Sequence, residues 1–268
     1  MVNIIGHIQN ALAAISDELI ETPPLPQKPL EKVTCQTGMG HWLYLRFRND
    51  GQQPRLWAGW ATATVFDGIV NKPRLLMETE WRNSDGVEWQ LLVVESAPGD
   101  VIGSASFDRL PRAGTLSETW WSTTGTSIKA IGALTTDRVA VSTELLERRI
   151  GRYLEVSKLR FITSHGDLHW GNLTSNSQII DWDSWGVYPV GFDWATLWAF
   201  SLPNPRLAEE VLDHARQAVS GRELKAAQLF ILEEIYVASA HNTRYRGLAH
   251  HANQFREHGY GQILNGPC

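Results

Sequence analysis

The spacing of apolar residues changes along the chain, and each change predicts a different kind of structure. Near the start, apolar residues recur at helical spacing over residues 2–20, which predicts an amphipathic helix: Ile4, Ile8, Leu12, Ile15 and Leu19. The proline-rich stretch 22–29 then interrupts regular structure. We therefore expect this helix to be a separate element that ends before the prolines.

Between residues 33 and 95 the pattern changes to short runs of β-forming residues separated by turn signals. Asn49-Asp50-Gly51 predicts one turn, and the segment 82–86 predicts a second. The runs flanking these turns predict an antiparallel sheet of about four or five strands: 42–48, 55–60, 75–81 and 88–95.

After residue 96 helical periodicity dominates. We predict helices over 127–134 and 142–154, and a largely helical stretch over 206–256. The chain is thus predicted to be α+β and bilobal, with an N-terminal lobe over 1–95 that holds the first helix and the sheet, and a helical C-terminal lobe over 96–268.

Composition narrows the classes of function. Hydrophobic residues make up 43% of the chain and charged residues 20%, which is ordinary globular usage. The net charge of −5 argues against nucleic acid as the main partner, because binding to the phosphate backbone needs a basic face. Only Cys35 and Cys268 are present, so a disulfide framework is not expected. No apolar stretch is long enough for a membrane helix, and we expect a cytoplasmic protein with no membrane partner.

Candidate chemistry is concentrated in the segment His165-Gly166-Asp167-Leu168-His169-Trp170-Gly171-Asn172, followed by Asp181 after an apolar run and then by Asp193. Phosphoryl transfer needs a carboxylate beside the acceptor hydroxyl, together with a second carboxylate and an amide oxygen that hold metal ions. Asp167 and Asn172 have the spacing of the base and the metal-binding amide in kinase catalytic loops, and Asp181 is expected to end a short strand as the second metal carboxylate.

These motifs resemble the catalytic and metal-binding loops of the aminoglycoside phosphotransferase and choline kinase family, which has a protein-kinase-like fold. The close resemblance covers about thirty residues, from His165 to Asp193. It implies a phosphotransferase that uses ATP, or another nucleoside triphosphate, with Mg²⁺ to modify a hydroxyl of a small molecule.

The resemblance also implies a role for each matching residue. Asp167 would be the catalytic base, and Asn172 and Asp181 would bind Mg²⁺. His165 and Asp193 would support the loop. The hinge backbone would meet the adenine: Val93, Val94, Glu95 and Ser96.

Other residues near the motif keep two interpretations open. Asp183 either contacts metal or water, or is a solvated loop acid. His169 and Trp170 either line the acceptor site or pack within the loop. Trp185, like the other tryptophans of this region, either fills the core or stacks on a flat or cationic substrate.

The lobe that should hold the nucleotide departs from the family pattern, because the predicted strand 55–60 has no lysine for the phosphates. Arg55 is our candidate replacement, with Arg46 and Arg48 as alternatives. The segment Thr37-Gly38-Met39-Gly40 is a candidate for the loop that covers the phosphates.

Two functions therefore remain open from the sequence. The first is an active small-molecule kinase, favoured by the metal and base residues. The second is a kinase-like protein with impaired transfer that holds a peptide or metabolite, with a partner protein in a biosynthetic complex. The absent lysine favours the second.

Overall fold

The computed structural model describes residues 4–49, 52–104, 108–242, 245–258 and 260–265. The chain divides into two compact units, one formed by 1–67 with 72–97 and the other by 68–71 with 98–268. The predicted turn at Asp50-Gly51 and the C-terminal Cys268 lie outside the described residues.

The first unit is built on a four-stranded antiparallel sheet in the order β1-β2-β4-β3. Its strands are β1 (Val33–Gln36), β2 (Trp42–Arg48), β3 (Leu75–Arg82) and β4 (Glu88–Val94). β4 is central and pairs with β2 along 42–48 and with β3 along 75–82. β2, β3 and β4 correspond to three of the four predicted runs, whereas β1 was not among those runs.

One face of this sheet is covered by helix α1 (Ile4–Ala14). Because side chains alternate along a strand, Leu43 and Leu45 of β2 share a face with Leu91 and Val93 of β4, and the four pack with α1 in one buried core. The helix contributes Ile8, Ala11 and Leu12 to that core. The predicted amphipathic helix therefore forms, and it ends at Ala14 rather than at residue 20.

The predicted strand 55–60 is wrong. The chain there forms two short helices, α2 (Pro54–Trp57) and α3 (Gly59–Thr62), followed by a 3-10 turn over Ala63–Phe66. Proline at the first turn has the backbone angle that a helix start needs. The guanidinium of Arg46 also donates hydrogen bonds to the Leu56 and Trp57 carbonyls, at 3.2 and 2.8 Å, which holds this segment against the sheet.

The second unit begins with helices α4 (Glu118–Ala133) and α5 (Thr143–Ile150). α4 starts nine residues before the predicted Ser127, because Ser117 caps it by accepting a hydrogen bond from the Trp120 N–H at 3.1 Å. Strand β5 (Phe161–Ser164) then pairs antiparallel with β6 (Gly186–Pro189).

The rest of the second unit is helical: α6 (Phe192–Ala199), α7 (Pro205–Ala218), α8 (Gly221–Ser239), α9 (Arg246–Glu257) and α10 (Gly261–Leu264). Every residue of α6 is buried, so this helix is the centre of the unit. An antiparallel sheet followed by a mostly helical part is the predicted fold class, which is confirmed. None of the described helices has the length and apolar character needed to cross a membrane.

Candidate active site

The loop that carries Asp167 leaves the end of β5 and is held from α6 by a buried carboxylate. Asp193, in the first turn of α6, accepts hydrogen bonds from the backbone N–H groups of His165 at 2.8 Å and Gly166 at 2.9 Å. Burial raises the pKa of Asp193 to about 6, while the two N–H donors act in the opposite direction. Asp193 thus joins the start of α6 to the loop that carries Asp167, and the supporting role that the resemblance implies for it stays a prediction.

His165 connects this loop to the segment that carries Asp181. Its ring is fully buried, packs edge-on against Trp182, and places Nε2 3.1 Å from the Ile180 carbonyl oxygen. Burial lowers the pKa of His165 to about 4, against the opposing charges of Asp167 and Asp181. The imidazole is therefore neutral at pH 7, and because a carbonyl only accepts, Nε2 carries the proton.

Gly166 has a backbone conformation that only glycine adopts easily, with φ of 82°. A Cβ at this position would meet the Tyr188 hydroxyl at 2.5 Å. That hydroxyl donates to the Ser184 carbonyl at 2.9 Å, so Tyr188 contacts both the loop that carries Asp167 and the segment after Asp181. Sequence reasoning missed Tyr188, because nothing in its short strand indicated that its side chain would contact these two segments.

Asp167 and Asn172 are brought together by a short 3-10 turn over Trp170–Asn172. The Asn172 side-chain Nδ2 donates to the Asp167 carbonyl oxygen at 2.8 Å and lies 3.5 Å from the Asp167 carboxylate. Donation through Nδ2 directs the side-chain oxygen of Asn172 away from that contact. The carboxylate of Asp167 is 30% exposed, so an acceptor can reach it.

Asp181 is positioned next to Asn172 by backbone pairing. The Ile180 N–H donates to the Asn172 carbonyl at 3.0 Å, and Leu173 forms an isolated bridge with Ile179. The strand expected before Asp181 is therefore reduced to this single bridge. Asp181 itself is half-buried and adopts a left-handed conformation, with φ of 63°, which aspartate tolerates better than most residues.

The residues around this loop offer oxygen donors of the kind that Mg²⁺ prefers, namely the Asp181 carboxylate and the Asn172 amide oxygen. The described residues contain no cluster of three or more His, Cys, Asp or Glu suited to a metal ion. A donor set of one carboxylate and one amide fits a Mg²⁺ that keeps several waters or binds together with nucleotide phosphates.

The four neighbouring residues with open interpretations occupy different environments. His169 is buried, stacks on Phe200, and has Nε2 3.6 Å from the Asp167 carboxylate, which is too long for a hydrogen bond. Trp170 is fully buried and donates to the Ser201 hydroxyl at 2.9 Å, which favours the loop-packing interpretation. Asp183 is half-buried, two residues after Asp181.

Trp185 is also buried, beneath the Arg138 guanidinium, which lies 4.4 Å from the ring centroid. Its ring therefore stacks on a cation of the protein itself. This contact favours the core interpretation of Trp185 over the substrate-stacking one.

The predicted hinge lies at the end of the central strand. Val93 and Val94 pair with both β2 and β3. The Glu95 N–H donates to the Arg74 carbonyl at 3.0 Å, and its carboxylate accepts from Arg74 Nε at 2.8 Å. The Ser96 hydroxyl contacts the Gly40 carbonyl. Adenine contact at this hinge stays a prediction.

The three candidate arginines differ in their surroundings. Arg46 is buried, and its Nε donates to the Gln90 side-chain oxygen at 2.7 Å in addition to its contacts with α2. Arg48 forms an ion pair with Glu88 at 2.5 Å. Arg55 lies half-buried in the helix α2, not in the strand in which it was expected to replace the missing lysine.

The segment Thr37–Gly40 forms the turn between β1 and β2, and its geometry argues against a phosphate-covering role. The Met39 N–H donates to the Asp17 carboxylate at 2.9 Å, and the Gly38 N–H donates to the Glu18 carbonyl at 2.8 Å. The remaining N–H groups of the turn are bonded within it: Thr37, Gly40 and His41. These amides are therefore already used inside the first unit.

Asp17 remains anionic at the centre of this turn. Burial acts to raise its pKa, but hydrogen bonds from Thr37, Met39, Glu18 and His41 together hold the pKa below its usual value. The Thr37 hydroxyl donates to this carboxylate at 2.5 Å, and His41 Nδ1 lies 2.9 Å from it. An anionic side chain at this turn would repel a phosphate. Sequence reasoning missed Asp17.

Lys72 is a third residue that sequence reasoning missed. Its side chain is almost fully buried, and Nζ lies 2.5 Å from the Asp67 carboxylate. It precedes β3 and is separated from Asp67 by four residues, with no motif around it. Nothing in the local sequence distinguishes it from a surface lysine.

An antiparallel sheet followed by a largely helical part is a protein-kinase-like fold. The sequence model of the phosphotransferase enzyme family, APH, matches residues 88–229, which is more than half of the chain. The chain belongs to this family. No curated protein sequence matches it.

Solved structures of phosphotransferases share the fold at low sequence identity. Amicoumacin kinase hAmiN, in complex with AMP-PNP, Ca²⁺ and Ami, has a TM-score of 0.60 at 14% identity, over 98% of this chain and 94% of that one. The GDP and kanamycin complex of APH(2")-IIIa has a TM-score of 0.60 at 12% identity, over 96% and 99%. Macrolide 2'-phosphotransferase MphH from Brachybacterium faecium has a TM-score of 0.53 at 13% identity, over 98% and 99%.

Proposed function

We propose that this protein is an ATP- and Mg²⁺-dependent phosphotransferase that acts on a hydroxyl group of a small molecule. The observation that carries the proposal is the connection of three segments around His165. Asp193 holds the loop before Asp167, and the His165 ring holds the Ile180 carbonyl before Asp181. Asn172 bonds to both neighbouring segments, through Nδ2 to Asp167 and through its carbonyl to Ile180.

In this proposal Asp167 orients the acceptor hydroxyl and accepts its proton. Its carboxylate is partly exposed, and its backbone carbonyl is fixed by Asn172. Asn172 and Asp181 hold Mg²⁺, which when bound neutralises the charge of the transferred phosphoryl group. Asp183 lies two residues after Asp181 and is assigned no direct metal contact.

The nucleotide is proposed to meet the hinge after Val94, and Arg55 is proposed to support its phosphates. A nucleoside triphosphate with one Mg²⁺ keeps a net negative charge, which needs a cationic partner in a partly desolvated site. The related structures were solved with AMP-PNP and with GDP, so both adenine and guanine nucleotides belong in a binding test.

The acceptor is proposed to be a hydroxyl-bearing small molecule of the size of an antibiotic. The structural relatives are described with amicoumacin, with kanamycin and as a macrolide phosphotransferase. The charges of the C-terminal helices are mixed and favour neither a cationic nor an anionic acceptor.

The test is calorimetry with AMP-PNP and with GDP, each with and without Mg²⁺, followed by turnover with ATP and GTP. Kanamycin, amicoumacin and a macrolide serve as the first acceptors, and the Asp167→Asn variant is the control for each. Mg²⁺-dependent nucleotide binding with turnover of any acceptor that the variant loses would support the proposal. Absence of nucleotide binding by the wild-type chain would refute it.

A second candidate is a kinase-like protein that binds a peptide or metabolite without transferring a phosphoryl group, as one partner in a biosynthetic complex. The observation that favours it is the turn over Thr37–Gly40, whose amides are used internally and which surrounds an anionic Asp17. Nucleotide binding without turnover of any acceptor, or no nucleotide binding at all, would favour this candidate.

A further inference from the structure

A cavity of about 690 Å³ lies in the second unit between α4, β5 and the start of α6, with α7 closing one side. Its volume lies within the range of roughly 300–1,000 Å³ that small-molecule sites occupy. Asp167, Asn172 and Asp181 do not line it. Asp193, which holds the loop before Asp167, does line it, so the cavity adjoins the candidate active site without including the proposed base and metal ligands.

Most of the cavity wall is apolar, with Ile128, Ile162, Phe192 and Trp194 among its lining residues. Helix α4 leaves part of the cavity unfilled at Gly125. A Cβ built at Gly125 comes within 4 Å of only one atom, the Cζ2 of Trp194 at 3.7 Å, which is ordinary contact. A flat or flexible apolar group would find close packing on these side chains.

Ser164 also lines this cavity. Ser164 is 2% exposed, and within the described part of the chain its hydroxyl makes no hydrogen bond. Ile162 and Ser164 share one face of β5 by strand alternation, and the Ile162 side chain reaches α4, since a Cβ at Gly132 would lie 3.1 Å from it. The oxygen of this hydroxyl still touches solvent, so a ligand atom in the cavity would take the place of water as its hydrogen-bond partner.

A cation lies at the edge of the same cavity. Lys129 is exposed and lines the cavity one helical turn before Gly132. Among the described residues it forms no ion pair. The acidic residue Glu118 lies at the opposite end of α4, eleven residues away, or about 16 Å along the helix. The carboxylate of Asp193 already receives two N–H donors.

We propose that this cavity binds a small amphiphilic anion, with its apolar body on Ile128 and Trp194 and its acidic group near Lys129 and Ser164. The ligand class follows from an apolar wall, an unused hydroxyl and an unpaired ammonium group in one space. The site also borders the candidate active site, because Ser164 directly precedes His165 and Asp193 bonds to the loop that presents Asp167.

The test uses the full chain with two probes, the fluorescent anion anilinonaphthalene sulfonate and decanoate, measured by fluorescence titration and competition. We expect saturable binding of both. Gly125→Leu places a side chain in the cavity and should weaken the binding of both probes by more than about tenfold. Lys129→Met should weaken the binding of decanoate by about fivefold, which is the effect of losing a partly screened ion pair. The binding of uncharged decanol should be unchanged.

The matched control is Lys158→Met, which removes an exposed lysine of the same unit outside the cavity and should leave binding unchanged. Ser122→Leu is a second filling variant at an exposed cavity residue, and circular dichroism verifies the folding of each variant. The proposal is overturned if the wild type binds neither probe saturably, if folded filling variants bind normally, or if Lys158→Met weakens decanoate as much as Lys129→Met. These readouts need no nucleotide, so they are independent of the proposed function.

Discussion

The imidazole Nε2 of His165 lies 3.1 Å from the carbonyl oxygen of Ile180, with the ring fully buried. This contact joins the loop that carries Asp167 to the residue immediately before Asp181. Because the ring is neutral and its donor nitrogen is committed to a carbonyl, we propose that His165 positions these two segments. The separation of the proposed base and the proposed metal ligand depends on this buried hydrogen bond.

Two buried groups at this junction should affect stability in opposite directions as pH falls. His165 has a folded pKa of about 4, below its usual value, so between pH 6.5 and 4 the unfolded chain binds the extra proton and stability falls with falling pH. Asp193 has a folded pKa of about 6, above its usual value, so between pH 6 and 4 the folded chain binds the extra proton and stability rises.

We therefore expect the two contributions to offset each other in the wild type, and single variants to separate them. In Asp193→Asn the free energy of unfolding should fall, as pH drops through this window, by up to about 1.4 kcal/mol per pH unit relative to wild type. In His165→Gln, whose side-chain amide can still donate to the Ile180 carbonyl, the free energy of unfolding should instead rise relative to wild type as pH drops through this window. Urea unfolding between pH 4 and 7 measures both slopes, and parallel curves for the three proteins would contradict the assignment.

Asp167→Asn should leave the fold intact and reduce phosphoryl transfer by about 10²–10⁴-fold, the usual cost of losing a positioned base. The backbone carbonyl that Asn172 holds is unchanged by this substitution. The control is Asp137→Asn, which alters an exposed aspartate of the same unit. Steady-state turnover beside circular dichroism measures both effects, and near-normal turnover of Asp167→Asn would remove Asp167 from the mechanism.

Asp181→Asn should weaken Mg²⁺-dependent nucleotide binding more severely than Asp183→Asn. Asparagine tolerates the left-handed backbone of position 181, where φ is 63°, so the change removes charge without adding strain. We expect a loss of tenfold or more, about 1.4 kcal/mol, for Asp181→Asn. Calorimetry with AMP-PNP and Mg²⁺ compares the variants, and equal losses would show that both carboxylates bind metal or that neither does so selectively.

Arg55→Ala should weaken nucleotide binding without a large loss of stability. Arg46→Ala should instead destabilise the first unit by about 1–3 kcal/mol, because it removes donors from buried acceptors at Gln90 and Trp57. Thermal unfolding and nucleotide titration of both variants, with Arg48→Ala as a third, separate the two effects. If none of the three weakens binding, the phosphates are held by other groups.

The order of elements and the identity of the candidate catalytic loop could be predicted from the sequence, because both depend on local patterns. Apolar spacing placed α1 and three of the four strands, β2, β3 and β4, since burying one face of a helix or strand imposes a fixed period. The interval from Asp167 to Asn172 indicated kinase-like chemistry because five residues are what a short turn needs to bring the two side chains together.

Other features were decided only by contacts between residues distant in sequence. Segment 55–60 contains strand-forming residues, yet it is helical where Arg46 of β2 reaches its carbonyls. The glycine-containing turn after β1 resembles a phosphate loop in sequence, but Asp17, some twenty residues earlier, takes up its Met39 amide. Tertiary contacts outweigh local propensity in both places, because satisfying a buried charge or carbonyl contributes more than one residue's preference for strand or loop.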